Sequence, residues 1–564
     1  MTRDPAEAAL AARVVSALLR EDYGGLKGRI RLDGTRITLC LPAPGGDGPV
    51  LPLERDGFLA DYRVAAGTPV TLDHVRSAVA VLAGQRDAAG AAAFAAECRR
   101  TLAETRLRAA HPLRQDAAGH WKGAEGQLRY DALAAARPHP AYPASPGRLG
   151  LEDEDLLAYA PEFSPGFELR WAAVPQAAVT RRAGSRAGAP DGRSRPAWWP
   201  TPERVGLAAG LDVTHELFPV HPLTARGRLP AGSFEAGTVR LGPEPYLRVR
   251  PTLSVRTVAV ADHPAEHLKL PLPASTLGAR NRRLIAPGTL ADGALVCRIL
   301  RHLRDRDPGL AGLLLADDTT YAHAGQPDLG YLWRRLPPDL DDCYVVPVAA
   351  LPARAPSGRL VIEELARHQG APDVLDFAAR YFRLVLGLAV RLLVRYGIAL
   401  ESHQQNAALV TGAGTPPRLL VKDFDGALIN LDRLGLALGQ AVPERQDFAD
   451  QRLLTASDEA LGDVLVTITV HLCVGAPAFE LAERGAAPLG ELLASARTAL
   501  SAALDAERPA PAAALLRARV LDAPRLTGKS MLSAGTLTAK EHTGAADINK
   551  FYGTTGPNYL RESR

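Results

Sequence analysis

Hydrophobic and polar positions change period several times along the chain, and each change marks an element. Over residues 4–22, Leu10, Val14, Val15, Leu18 and Leu19 recur at helical spacing and predict an amphipathic helix. Residues 28–40 alternate instead and turn at Asp33-Gly34, the pattern of a hairpin. Residues 71–109 are Ala-rich with few breakers, so the chain up to about residue 130 reads as mainly helical. Alternation returns over 208–220 and 239–260, most clearly at 246–249 and 253–260, and a further strand-like piece spans 267–272. A helix follows at 291–307, a buried strand at 344–351 and a long helix at Val374–Tyr396. Three short apolar pieces come next, at 398–400, 407–410 and 419–421. Beyond residue 431 the spacing is again helical, over 448–472 and 488–505.

Three stretches break these patterns. At 137–151 (RPHPAYPASPGRLGL), four prolines within ten residues forbid a helix and force an extended or turning path carrying His139, Tyr142 and Arg148. On spacing alone this segment reads as a structural turn. At 183–203, Gly, Pro, Ser and Arg predict a long mobile loop whose end is pinned by Trp198 and Trp199. The tail from Leu526 repeats Thr, Gly and Lys, and reads either as partly mobile or as closing over a site.

Composition narrows the classes of function. A length of 564 residues implies two to four domains, at roughly 100–200 residues each. The net charge is only +4, so no global attraction to nucleic acid is expected and any basic site must be local. The five cysteines are far apart and form no CxxC pair, which fits a reducing compartment rather than a disulfide scaffold or zinc ribbon. No apolar leader is evident, and the strongest apolar run, 384–390, is too short to span a bilayer. The expectation is a cytoplasmic protein without a membrane partner.

Candidate chemistry gathers at 396–426. Glu401, Ser402, His403, Gln404, Gln405 and Asn406 lie between two apolar pieces, and a third apolar piece ends in Lys422-Asp423-Phe424-Asp425. Carboxylates and amides at the mouths of short buried strands suit Mg²⁺ and a nucleotide phosphate. Kinase-like folds use this layout, an Asn from a loop and an Asp after a strand; a capped strand–turn with solvated polar groups would look the same. Upstream, Ser254, Arg256, Lys269 and Arg280 recur at intervals that could place cations on one sheet face or rim. The same block reads equally as a solvated basic face. His263 and His267 are spaced like a metal pair, but Pro264 lies between them and no third ligand is near.

At these residues the chain resembles the NRPS-independent siderophore (NIS) synthetases, the aerobactin-synthetase-like family. YGIALESHQQN resembles that family's YGI-x-x-E-x-H-x-Q-N signature, and Lys422-Asp423-Phe424 its Arg-Asp-Phe. Ser254-x-Arg256-Thr257, Lys269 and Arg280 resemble its S-x-R-T…K…R series, and 218–222 the front of its P-x-HPWQ motif. The matches run in order over roughly residues 137–430. The resemblance implies an α+β fold of thumb (1–135), fingers (136–343) and kinase-like palm (344–564), and a homodimer. It implies an AMP-forming ligase that uses ATP and Mg²⁺ to join a carboxylic acid to an amine or hydroxylamine. By motif, Ser254, Arg256, Lys269, Arg280 and His403 would contact phosphates. Gln405 would hold the nucleotide, while Glu401, Asn406 and Asp423 would face the metal. His139, Arg148 and His221 would bind substrate.

The carboxylate segment departs from the pattern: Tyr142 and Pro146 stand where the family has His and Lys, and Leu223-Thr224 replace Trp-Gln. Fewer cations would favour a less charged acid than citrate. Two other readings follow from the residues, a kinase-like phosphotransferase and an inactive scaffold relative. The absence of a Gly-rich phosphate loop ahead of a Val-Ala-x-Lys strand weighs against the first, and the suitable site residues weigh against the second.

Overall fold

Local chemistry sets the first element of the computed structural model. Asp4 accepts a hydrogen bond from the Ala6 N–H and Pro5 occupies the first turn, so helix Pro5–Arg20 begins there. The structure describes residues 4–113, 121–182, 195–227, 239–439, 442–544 and 550–562. The expected hairpin is present and grows into a four-stranded antiparallel meander over Ile30–Asp33, Arg36–Ala43, Gly46–Arg55 and Tyr62–Val64. This sheet packs on helices Pro5–Arg20, Leu72–Ala83 and Ala88–Ala110, so the N-terminal region is a helix-and-sheet layer pair rather than helix alone.

The middle of the chain forms a nine-stranded sheet. Its order runs Thr180–Arg182, Asp317–Gln326, Leu329–Arg335, His263–Lys269, Thr257–Val260, Tyr246–Pro251, Phe167–Pro175 and His215–Val220, with Arg240–Leu241 pairing off the path. Residues 253–256 are a turn, not the strand expected there, and residues 208–214 are loop and short helical turn. Trp199 packs against Trp171, Tyr331 and Trp333, so it does pin the end of the 183–203 segment, whose residues 183–194 lie outside the described ones.

A smaller four-stranded sheet carries the polar stretch. Its order is Leu313–Leu315, Arg418–Val421, Ala407–Thr411 and Tyr344–Pro347, the first pair parallel and the others antiparallel. Helix Val374–Tyr396 opens on Asp373, which accepts from the Asp376 N–H, and ends at Gly397 with φ +65°. A side chain at 397 would both strain that backbone and meet Asn430, so glycine is required to turn the chain into the next strand. The expected helix at 448–472 starts ten residues later, at Asp458, and continues as a π-helical run, Leu465–Gly475, into Ala476–Glu483. The run 384–390 lies within helix Val374–Tyr396, and a second apolar stretch is this helical unit, Asp458–Glu483. It is long and apolar enough to cross a membrane, yet 89% of its apolar window is buried inside the protein.

The hydrophobic cores cross the limits expected at residues 135 and 343. Tyr130 and Ala134 of helix Gly123–Ala135, and Val296, Ile299, Leu300 and Leu303 of helix Pro287–Arg306, pack into the C-terminal core. Tyr142, Leu532 and Leu537 pack into the N-terminal core. Three regions of sequence are therefore knitted together at their junction, and the junction holds the site.

Candidate active site

The loop after Ile398–Ala399 is held from several sides. Asn406 Nδ2 donates to the Glu401 carbonyl at 3.3 Å, closing the loop on itself. Gln405 Nε2 donates to the Leu253 carbonyl at 2.9 Å, tying it to the turn that carries Ser254 and Arg256. Gln404 Nε2 donates to the Leu472 carbonyl at 2.7 Å. That carbonyl belongs to the π-helical run, whose looser winding presents carbonyls to side chains. His403 Nδ1 accepts the Gln405 N–H, and Nε2 lies 3.4 Å from Asn406 Nδ2.

Strand Arg418–Val421 delivers Asp423 in a left-handed backbone conformation, φ +67°. Asp tolerates this region better than most residues, yet such backbone is uncommon and clusters at functional positions. The Asp423 N–H donates to Asp318 Oδ2 at 2.9 Å, and Asp318 is itself gripped by Arg334 through two bonds of 2.6 Å. Lys269, delivered by the adjacent sheet, donates to Asp423 Oδ1 at 2.5 Å and to Asp425 Oδ2 at 3.1 Å. Burial alone would push the Asp423 carboxyl up; Lys269, Arg334 and Arg256 outweigh it and hold the group well below the usual carboxylate range.

These elements border a cleft of about 1600 Å³, open to solvent. Ser254, Arg256, Glu401, His403, Gln405 and His139 line it, as the sequence led us to expect. His139 Nδ1 accepts the N–H groups of Ala141 and Tyr142, leaving Nε2 for the cleft. Burial first, and then neighbouring positive charge, depress His139 to about 3 and His403 to about 4, so both rings are neutral near pH 7.

Other expected residues lie elsewhere. Arg280 does not line the cleft; its guanidinium donates to the carbonyls of Ala534 and Thr538. Arg148 reaches the wall, but Glu162 holds it through bonds of 2.6 and 2.8 Å and Glu104 through one of 3.2 Å, so it braces the wall and has little left for substrate. His221 is fully buried beside Tyr159 and Phe167, away from the cleft. Lys269, Asn406 and Asp423 are not among the residues that line the cleft. Tyr142 faces inward to Glu97 and not the cleft, so its departure from the family pattern removes no cation there; Pro146 does line the cleft.

Two cations escaped the sequence reading. Arg283 lines the cleft near Arg256, and burial together with Arg256 lowers it to about 9. Its signal was the Arg-rich run at 280–283. Lys529 enters from the tail, 3.6 Å from Glu401 Oε1, so the tail reaches the cleft at this residue.

A mixed helix-and-sheet scaffold thus brings Arg256, Arg283, Lys529 and two neutral histidines to one cleft, an arrangement suited to holding an anionic small molecule. Comparison with known proteins makes this specific. Residues 128–353 match the model of the IucA / IucC family, and residues 375–544 match that described as ferric iron reductase FhuF-like transporter. The rhizobactin siderophore biosynthesis protein RhbF of Rhizobium meliloti (strain 1021) is 29% identical over 343 residues, 54% of this chain and 54% of that protein. The chain thus spans about half the length of the curated relatives it matches. Two solved structures share the fold. The petrobactin biosynthesis protein AsbB from Bacillus anthracis has a TM-score of 0.75 at 16% identity, covering 99% of this chain and 96% of that one. ATP-bound aerobactin synthetase IucA from Klebsiella pneumoniae has a TM-score of 0.70 at 18% identity, covering all of both chains. Residues 128–353 thus carry the IucA / IucC family match, and the chain as a whole has the fold of the solved aerobactin synthetases.

Proposed function

We propose that the protein is an ATP-dependent ligase that activates a carboxylic acid as its adenylate and condenses it with an amine or hydroxylamine in siderophore assembly. The observation that carries this reading is the convergence on one cleft of Arg256, Arg283, His403 and Lys529, drawn from three distant parts of the chain. Among the described residues neither Arg256 nor Arg283 has a carboxylate partner; their donors go to the Leu284 carbonyl and to Thr276. Two neighbouring guanidinium groups with no carboxylate bonded to them, and with the nearby Asp423 already paired to Lys269, suit a polyanion such as a triphosphate.

The residues fit Mg²⁺ carried by phosphate oxygens. No ready-made cluster of three or more His, Cys, Asp or Glu is present among the described residues. Asp423, with Glu401 and Asn406, supplies the one or two carboxylates and the amide oxygen such an ion needs. When bound, Mg²⁺ would neutralise charge on the phosphates. The acid's carboxylate oxygen attacks the α-phosphorus and the bond to pyrophosphate breaks; Arg256 and Arg283 stabilise the charge that develops. The amine then attacks the acyl carbon and AMP departs, while a neutral His139 or His403 can take the proton the amine loses.

With Lys529 and Arg283 in the cleft, the cation count no longer disfavours a multiply charged acid. The kinase-like palm and the homodimer form part of this proposal through the family resemblance. The test is pyrophosphate release with citrate, 2-oxoglutarate, succinate and succinylated hydroxamates, with and without polyamines. AMP and pyrophosphate are expected; ADP as product would replace this reading with a phosphotransferase.

A further inference from the structure

Glu97, in helix Ala88–Ala110, is 1% exposed and does not line the cleft. Its carboxylate accepts the Tyr142 hydroxyl at 2.9 and 3.0 Å, the Gly278 N–H at 3.0 Å and the Thr536 hydroxyl at 3.1 Å. These donors stand 45, 181 and 439 positions away in sequence. Each belongs to a segment that carries a cleft residue.

The connection to His139 is short. The Tyr142 N–H donates to His139 Nδ1 at 3.1 Å, so the residue that anchors its ring in Glu97 also fixes the histidine's tautomer and tilt. On the second segment, Gly278 is followed by Ala279, whose N–H donates to Thr536 Oγ1 at 2.9 Å, and Arg283 turns back to donate to Thr276. The third segment is the tail. Gly278 and Gly535 approach so closely that a Cβ at 278 would lie 2.9 Å from Gly535, and Arg280 donates to the carbonyls of Gly535, Ala534 and Thr538. Upstream on this tail lie Met531 and Lys529, both lining the cleft.

One buried carboxylate therefore holds the three segments that present His139, Arg283 and Lys529. The Gly278 N–H can only donate, and the Tyr142 and Thr536 hydroxyls are placed to donate to the carboxylate. We propose that Glu97 is a positioning residue for the cleft: through Tyr142, Gly278 and Thr536 it sets where His139, Arg283 and Lys529 stand relative to one another. Glu97→Gln keeps the shape but replaces one acceptor oxygen by a donor, opposing at least one of the three partners. Tyr142→Phe removes a single donor and leaves the packing of the ring in place.

The activity arm of the test rests on the proposed ligase reaction; the structural arm does not. Hydrogen exchange on the full chain reads the amides of 529–538 and 276–283, and steady-state pyrophosphate release reads acid and nucleotide separately. In Glu97→Gln, protection of the amides of 529–538 and 276–283 falls by about tenfold or more while amides elsewhere keep theirs, and kcat/KM for the acid and for ATP both fall by about the same factor. Tyr142→Phe moves both quantities in the same direction by less, and serves alone should the first variant fail to fold. Unchanged tail protection, or a loss of protection spread evenly over the whole chain, would overturn the inference. If the unaltered protein releases no pyrophosphate with any acid, the ligase reading falls and the exchange result alone decides the role of Glu97.

Discussion

Lys269 Nζ lies 2.5 Å from Asp423 Oδ1, and this contact joins the end of the middle sheet to the end of the smaller C-terminal one. Asp423 is kept ionised by Lys269, Arg334 and Arg256 against the effect of its burial. Replacing Lys269 by Met removes one of these cations and leaves a buried carboxylate under-compensated. The expected cost is about 3–5 kcal/mol of stability, read by urea denaturation, with loss of pyrophosphate release. A Lys269→Met protein of unaltered stability would show that the pair is not held in solution.

Arg280 and Arg283 separate a structural from a chemical role three residues apart. Arg283→Ala empties a cation from the cleft and is expected to slow pyrophosphate release by about 100-fold, in line with the removal of one charge-stabilising donor. Arg280→Ala loosens the tail at Ala534 and Thr538, with the smaller effect on turnover and the larger one on tail proteolysis. The opposite ranking would return the phosphate role to Arg280.

Arg148 offers a third contrast. Its guanidinium sits between Glu162 and Glu104, all three buried. Arg148→Met leaves Glu162 without its cation and Glu104 with Arg100 alone, and should destabilise by about 3–5 kcal/mol. Any rise in KM for the acid should track that loss of stability and disappear when measured well below the melting temperature. A selective rise in a fully folded variant would restore Arg148 as a substrate ligand.

Burial lowers His221 and His267 to about 3 and His471 to about 4. For a histidine depressed in the folded state, the unfolded chain binds the proton first as pH falls. The stability each contributes is present above about 6.5 and is lost as pH drops from 6.5 through its folded value. One unit below 6.5, each of the three has cost roughly 1 kcal/mol. Glu97 works the other way: burial raises it to about 7, so its contribution is full below about 4.5 and fades as pH rises through 7. Melting temperatures from pH 8 to 5 should therefore fall, and fall more steeply in Glu97→Gln, which lacks the opposing term. A flat profile would contradict the burial of the three rings.

Where a local pattern determines the outcome, it could be read directly. Helix Val374–Tyr396, the hairpin at Asp33-Gly34 and the three short strands around 401–406 follow from periodicity and turn chemistry, and the loop they support faces the cleft as expected. Arg148, His221 and Arg280 show what spacing does not encode. Each is a suitable residue in a plausible motif, yet burial beside Glu162 and Glu104, enclosure by aromatic rings, or capture by tail carbonyls takes it out of the cleft. Those partners lie 14 to 258 positions away along the chain. Lys529 was missed as a named residue for the complementary reason: a lone lysine in a Gly- and Thr-rich tail has no periodicity, and only its contact with Glu401 marks it.

Leu532 and Leu537 fill the core built on the first helix, and Glu21 of that region accepts from the N–H groups of Leu532 and Ser533. During synthesis the core of the amino-terminal quarter therefore cannot be completed until more than five hundred residues have been made. A growing chain in that condition is a natural client for chaperones, and competence for turnover should arise late and all at once rather than region by region.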